Sequence, residues 1–177
     1  GADGAYTPIT KCLTIALKDD RLKGIEVVDT PGVNDPVLSR ELRTREFLRG
    51  CHGVFFLSYS GRFFDSTDVG FLTNRIGSQG IGSVVLIASK FDSVLQDVGM
   101  HFRDDLGNAI EDCQKKLKGQ YQNNICSSSF NGTDPILDFS SGIGYSIFKK
   151  DLHSLDEMES HVVSQMKSFY PSFFSSD

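Results

Sequence analysis

Three short, almost wholly apolar runs, Ile25–Val28, Val54–Leu57 and Val84–Ile87, each give way to polar, glycine-containing sequence. Runs that stay apolar at consecutive positions, instead of alternating, suit parallel strands buried on both faces. In sheets of that kind a ligand site forms beyond the carboxyl ends of the strands, where the polar sequence follows. The expected strands are Cys12–Leu17, Ile25–Val28, Val54–Ser58, Val84–Ala88 and Ile136–Phe139. Helical patterns separate them, which is the signature of an α/β domain.

Asp35-Pro36 reads as an N-cap and first-turn proline, opening a helix to about Arg49. Asp65–Asp68 offers caps for a helix through Ile76. Leu106, Ile110, Cys113, Leu117 and Tyr121 recur at helical spacing and predict a helix from His101 to Gln122. Ser154 and Glu157 read as a capping box for a last helix. Leu155, Met158, Val162, Met166 and Phe169 would stripe its core side, and Pro171 would end it. Asn123–Asp134, rich in Ser, Asn and Gly, is expected to be an irregular surface loop.

With 177 residues the chain is long enough for one domain with a real core. Neither a repeat nor a long linker divides it. Its 14 Phe exclude a chain that is mainly disordered. A net charge of −5, with scattered Lys and Arg, argues against a general nucleic-acid binder. No apolar run reaches the roughly 20 residues of a membrane-spanning helix. Cys12, Cys51, Cys113 and Cys126 form no CxxC pair and suit reduced thiols in a cytoplasmic protein.

The residues that carry chemistry follow the apolar runs. Ile25–Val28 leads into Asp29-Thr30-Pro31-Gly32, an acid at a strand end with a glycine three positions on. In nucleotide hydrolases such an acid holds Mg²⁺, and the glycine amide approaches the γ-phosphate unobstructed by a side chain. Taken alone, the spacing reads equally as an acidic turn. Val84–Ala88 leads into Ser89-Lys90-Phe91-Asp92, close to the [NT]KxD pattern of guanine-nucleotide binders. An Asp there accepts both the N1–H and the 2-amino group of guanine, a donor pair that adenine lacks. The Lys90 stem can cover the base plane. Ser89 stands where Asn or Thr is usual and keeps only the hydroxyl.

Together these segments resemble the GTPase superfamily, and more narrowly the dynamin-like large GTPases, closest to bacterial forms. The narrower likeness rests on residues 25–36 (IEVVDTPGVNDP), 56–68 (FLSYSGRFFDSTD), 84–92 (VVLIASKFD) and 138–147 (DFSSGIGYSI), and spans about Pro8 to Phe174. It implies an α/β P-loop GTPase-type sheet with flanking helices, and Mg²⁺ as cofactor with GTP. Asp29, Gly32, Ser89, Lys90, Asp92, Ser140 and Ser141 would bind the nucleotide. Ser140-Ser141 would contact the base from the side opposite Asp92. Thr10, in Pro8-x-Thr10-x-x-x-Thr14, would be the switch I threonine that ligates Mg²⁺ with Asp29 and helps hold the attacking water, with Thr7 as the fallback ligand. Val33 occupies the position where Ras-type enzymes carry a water-orienting Gln. Dynamin-like enzymes lack that Gln and use groups near the phosphate loop plus dimerisation across the nucleotide face.

No segment matches GxxxxGK[ST], and too few residues precede Thr10 to hold a strand, phosphate loop and helix. The expectation is therefore a partial G domain, 1–177, running from switch I to the C-terminal helix with no second domain. Its first strand and phosphate-binding loop would lie upstream, and a start without Met fits that reading. The resemblance implies GTP-driven self-association through the nucleotide face in the parent protein. It also implies peripheral membrane contact through regions outside this chain, remodelling of membranes or assemblies, and a fragment not catalytically competent alone. The competing readings are a non-catalytic nucleotide-binding or interaction module, and a septin-like or immunity-associated GTPase.

Overall fold

A computed structural model describes residues 14–30, 46–77, 81–126, 128 and 134–175. The chain divides into two compact units, Gly1–Thr30 and Pro31–Asp177.

In the first unit the described residues form two stretches without regular secondary structure, joined by a 3₁₀ turn, Asp20–Leu22. Asp19 caps that turn by accepting the Arg21 amide at 3.0 Å, and Gly24 leaves it at φ +75°. Residues 14–17 and Ile25–Val28 form no strand, which corrects the expectation for both. Ile25 and Val27 are 59% and 76% exposed. Apolar β-formers hold a strand only where a neighbour pairs their amides and carbonyls, and these stretches have no ladder among the described residues.

The second unit is built on a parallel three-stranded sheet in the order β1 (Gly53–Tyr59), β2 (Ser83–Ser89), β3 (Ile136–Phe139). Phe56 lies opposite Leu86, and Leu86 opposite Leu137. Five helices accompany the sheet: α1 (Ser66–Phe71), α2 (Phe91–Val98), α3 (Leu106–Cys126), α4 (Gly142–Lys149) and α5 (Glu157–Phe169). A short α6 (Pro171–Phe174) follows with its proline at the start, and residues 46–50 are also helical. No helix among the described residues is long and apolar enough to cross a membrane.

The core lies on one side of the sheet. Phe56, Leu86 and Ala88 meet Leu72, Ile76, Phe91, Leu95, Ala109, Cys113, Leu117 and Tyr170. The opposite side carries Phe55 and Leu57, 71% and 63% exposed, so β1 is buried on one face and not on both as its apolar run predicts.

Helix boundaries also differ from expectation. The helix opened by Asp65, which accepts the Thr67 and Asp68 amides, becomes a π-type turn over Leu72–Ile76. The long helix starts at Leu106, after Asp104 at φ +58°, and runs past Gln122 to Cys126, into the expected loop. Non-glycine residues enter that backbone region rarely, and the helix cannot be continuous through it. The capping box is Asp156 with Glu159; the Ser154 hydroxyl instead donates to the Asp151 carbonyl at 2.8 Å. With the start displaced, Glu159 and Val163 turn inward and Met158 faces solvent. Most of the helix expected from Asp35 lies outside the described residues.

Candidate functional site

The sheet delivers its candidate chemistry at the carboxyl ends of β1, β2 and β3. Ser89, the last residue of β2, donates its hydroxyl to the Ser58 carbonyl at 3.0 Å. Ser60 returns the contact by donating to the Ser89 carbonyl at 2.7 Å. Two serines thus stitch the ends of adjacent strands. Ser58, itself buried, accepts the Phe64 amide at 2.8 Å and donates to Asp68 at 2.5 Å, fixing the turn after β1. Burial pushes the Asp68 carboxyl up, against the lowering effect of the Ser58 bond.

Lys90 then enters α2 in the left-handed conformation, φ +53° and ψ +44°. A non-glycine residue there costs about 1–2 kcal/mol, and the surrounding bonds hold it. Both the Ser93 amide and the Ser93 hydroxyl donate to the Lys90 carbonyl, at 3.0 and 2.8 Å. The Lys90 ammonium lies 5.8 Å from the centre of the Tyr59 ring, a cation–π contact worth about 0.5–1 kcal/mol at an exposed position. The sharp turn places Asp92 in the first turn of α2, where the helix dipole favours a carboxylate.

Ser140 and Ser141 arrive from β3. The Ser140 amide donates to the Ala88 carbonyl at 2.9 Å, and the Phe91 amide donates to the Ser140 carbonyl at 3.0 Å. The Phe91 and Phe139 rings, 5.3 Å apart, close the apolar floor beneath. Ser141 caps α4 by accepting the Gly144 amide at 2.9 Å, and its hydroxyl donates to Asp92 Oδ1 in a very short contact. A carboxylate has about four acceptor positions, and Ser141 takes one of them.

The structure therefore brings together Ser89, Lys90, Asp92, Ser140 and Ser141. Asp29 belongs to the other unit and is exposed; it does not end a buried strand as expected. Thr10 and Gly32 lie outside the described residues, as do Thr7 and Val33. No group of three or more His, Cys, Asp or Glu that could hold a metal ion forms among the described residues. Tyr59 and Ser60, which support Lys90 and Ser89, are absent from the sequence expectation. The signal for them is the polar Ser-Tyr-Ser-Gly stretch directly after an apolar strand.

What this cluster offers is a fixed carboxylate at a sheet rim, flanked by a lysine stem and a serine loop. Such a group suits a ligand that presents two adjacent donors along one edge.

Comparison with known proteins gives the same direction. The likeness is to a dynamin-like protein. The chain is 26% identical over 97 residues to Dynamin-like protein 1 of Campylobacter jejuni subsp. jejuni serotype O:23/36 (strain 81-176). That match covers 52% of this chain and 13% of the length of the relative. It supports a distant dynamin-like relation. No family model matches the chain, and no solved structure matches it.

Proposed function

We propose that this chain is the base-recognising part of a guanine-nucleotide-binding domain, and that its parent protein is a dynamin-like GTPase. The observation that carries the reading is the Ser141–Asp92 hydrogen bond. It joins the two segments that the resemblance singles out, although they lie far apart in sequence, and it orients the carboxylate that distinguishes guanine from adenine. Asp92 accepts the N1–H and 2-amino donors. Lys90 flanks the base with its stem, Ser89 steadies the strand end, and the Ser140–Ser141 loop closes the other side.

Mg²⁺ is the cofactor in this reading. The exposed Asp29 carboxylate is a hard oxygen donor of the kind Mg²⁺ takes, and Thr10 is its proposed companion. When bound there, Mg²⁺ would supply positive charge beside the transferred phosphoryl group. The Gly32 amide is proposed to meet the γ-phosphate. Self-association through the nucleotide face, and membrane contact through other regions of the parent, complete the proposal.

One observation favours a second reading, a non-catalytic nucleotide-binding module. Asp29 lies in a stretch that forms no strand, so its carboxylate is not presented from a strand end as the resemblance implies. Two measurements on the full-length protein separate the readings. Labelled GTP binding in preference to ATP supports base recognition, and equal affinity defeats the guanine reading. Mg²⁺-dependent turnover lost in Asp29→Ala and Thr10→Ala supports the GTPase. Binding without turnover leaves the module.

A further inference from the structure

Glu159 is 4% exposed and takes four hydrogen bonds on its two carboxylate oxygens. Ser146 donates to Oε1 at 2.5 Å, Lys150 donates to Oε1 at 2.7 Å and to Oε2 at 2.8 Å, and the Asp156 amide donates to Oε2 at 2.9 Å. The Asp156 bond belongs to the capping box of α5. Ser146 and Lys150 belong to α4 and to the residue just beyond it. One carboxylate therefore binds the start of α5 to the far end of α4.

The near end of α4 is Ser141, whose hydroxyl is shared between the Gly144 amide and Asp92. The other end of α5 is anchored as well. Tyr170, fully buried, donates its hydroxyl to the Leu95 carbonyl of α2 at 2.8 Å. Phe169 lies so close over Gly99 that a Cβ there would come within 2.4 Å of its ring. Helices α2, α4 and α5 thus form a closed triangle. One vertex is the Asp92–Ser141 contact, a second is Glu159, and the third is the Phe169–Tyr170 turn.

We propose that Glu159 is a positioning residue for base discrimination, holding α4 so that Ser141 stays aligned with the Asp92 carboxylate. The Ser140 backbone is tied to β2 and α2 by its own hydrogen bonds, so the strand loop is fixed without α4. What α4 sets is the direction of the Ser141 hydroxyl. An eight-residue helix is about 12 Å long and moves as a rod. A displacement of about 1 Å at its Lys150 end reaches the cap, where an O–H···O bond spans a range of only about 0.5 Å. A partly buried ion pair is also a weak source of stability, since apolar partners often serve as well. Fixed geometry is what four converging hydrogen bonds add.

The inference rests on the guanine-nucleotide reading of Asp92. Its test compares full-length wild type with Glu159→Ala, Glu159→Gln and Ser146→Ala. One readout is hydrogen exchange at the Gly144 amide without nucleotide, and the other is the ratio of GTP to ATP affinity. Glu159→Ala is expected to speed Gly144 exchange and to lower the ratio on the order of tenfold. Glu159→Gln, which keeps an acceptor oxygen, is expected to restore most of both. Ser146→Ala should shift both readouts in the same direction by less, and it carries the test if Glu159→Ala does not fold. Wild-type selectivity for GTP with both readouts unmoved in the folded variants overturns the positioning role. A wild type that does not prefer GTP overturns the guanine reading instead, and Gly144 exchange still reports whether Glu159 controls the cap.

Discussion

The Ser141 hydroxyl donates to the Asp92 carboxylate while it accepts the Gly144 amide at 2.9 Å. One side chain therefore caps a helix and orients an acid from a different strand–helix junction. Ser141→Ala is expected to cost about 1 kcal/mol as a lost cap, lowering the melting temperature by about 2–4 °C for a protein of this size. Nucleotide titration should show weaker GTP binding with little change for ATP. Ser141→Thr keeps the hydroxyl and is expected to retain most of both properties. A loss of stability with unchanged GTP affinity would leave Ser141 as a cap alone.

Gly99 gives a sharper test of packing. A Cβ at this position meets the Phe169 side chain at 2.4–2.9 Å, well inside contact distance. Gly99→Ala forces the ring and the following Tyr170 away from α2. Overpacking of this kind costs about 1–3 kcal/mol, measurable as a shifted denaturant midpoint. Tyr170→Phe, which removes only the hydroxyl that reaches Leu95, is expected to cost about 1 kcal/mol. Equal stability of Gly99→Ala and wild type would contradict the docking of α5 on α2.

How much of this was legible in the chain differs by element. Strands β1, β2 and β3 coincide with Val54–Ser58, Val84–Ala88 and Ile136–Phe139, short runs rich in β-branched and aromatic residues that pair with one another. Ser89, Lys90 and Asp92 and the paired serines at 140–141, which the resemblance groups together, lie as neighbours in the structure. Helices α2 and α4 were hidden. The first begins at a left-handed lysine, which no propensity scale anticipates, and the second contains two glycines and depends on Ser141 and Glu159 for its ends. Ile25–Val28 has the composition of a buried strand but no ladder among the described residues. Composition states that a segment can pair; only a neighbour makes it a strand.

The ionisation of Glu159 predicts a pH dependence. The Lys150 ammonium, the Ser146 hydroxyl and the Asp156 amide hold its carboxyl down to about 2, from an ordinary value of 4.5. A depressed carboxyl contributes stability that is fully present above its unfolded value and is lost as pH falls through its folded one. The α4–α5 contact is therefore expected to weaken between about pH 4.5 and 2. Acid unfolding of Glu159→Gln should be flatter than that of wild type across this window. Parallel curves would show that another carboxyl governs acid stability.

The exposed side of β1 bears on solubility. Phe55 and Leu57 lie on the side of the sheet away from the core, and the strand carries no charge or proline to blunt association. Residues 1–177 produced alone are expected to self-associate at rising concentration. Leu57→Thr, which keeps β propensity and shortens the apolar surface, should reduce the effect. Light scattering that shows a monomer at every concentration would contradict this.

The central claim is that Asp92 reads the base, and a change of nucleotide preference tests it most directly. Asp92→Asn replaces an acceptor with a donor, which matches the 2-oxo group of xanthine in place of the 2-amino group of guanine. Titration of full-length wild type and variant with GTP and xanthosine triphosphate should show GTP preferred by the first. Xanthosine triphosphate should be preferred by the second, with the crossover on the order of tenfold or more. If the variant keeps the wild-type preference, or if neither protein discriminates between the two, Asp92 does not read the base.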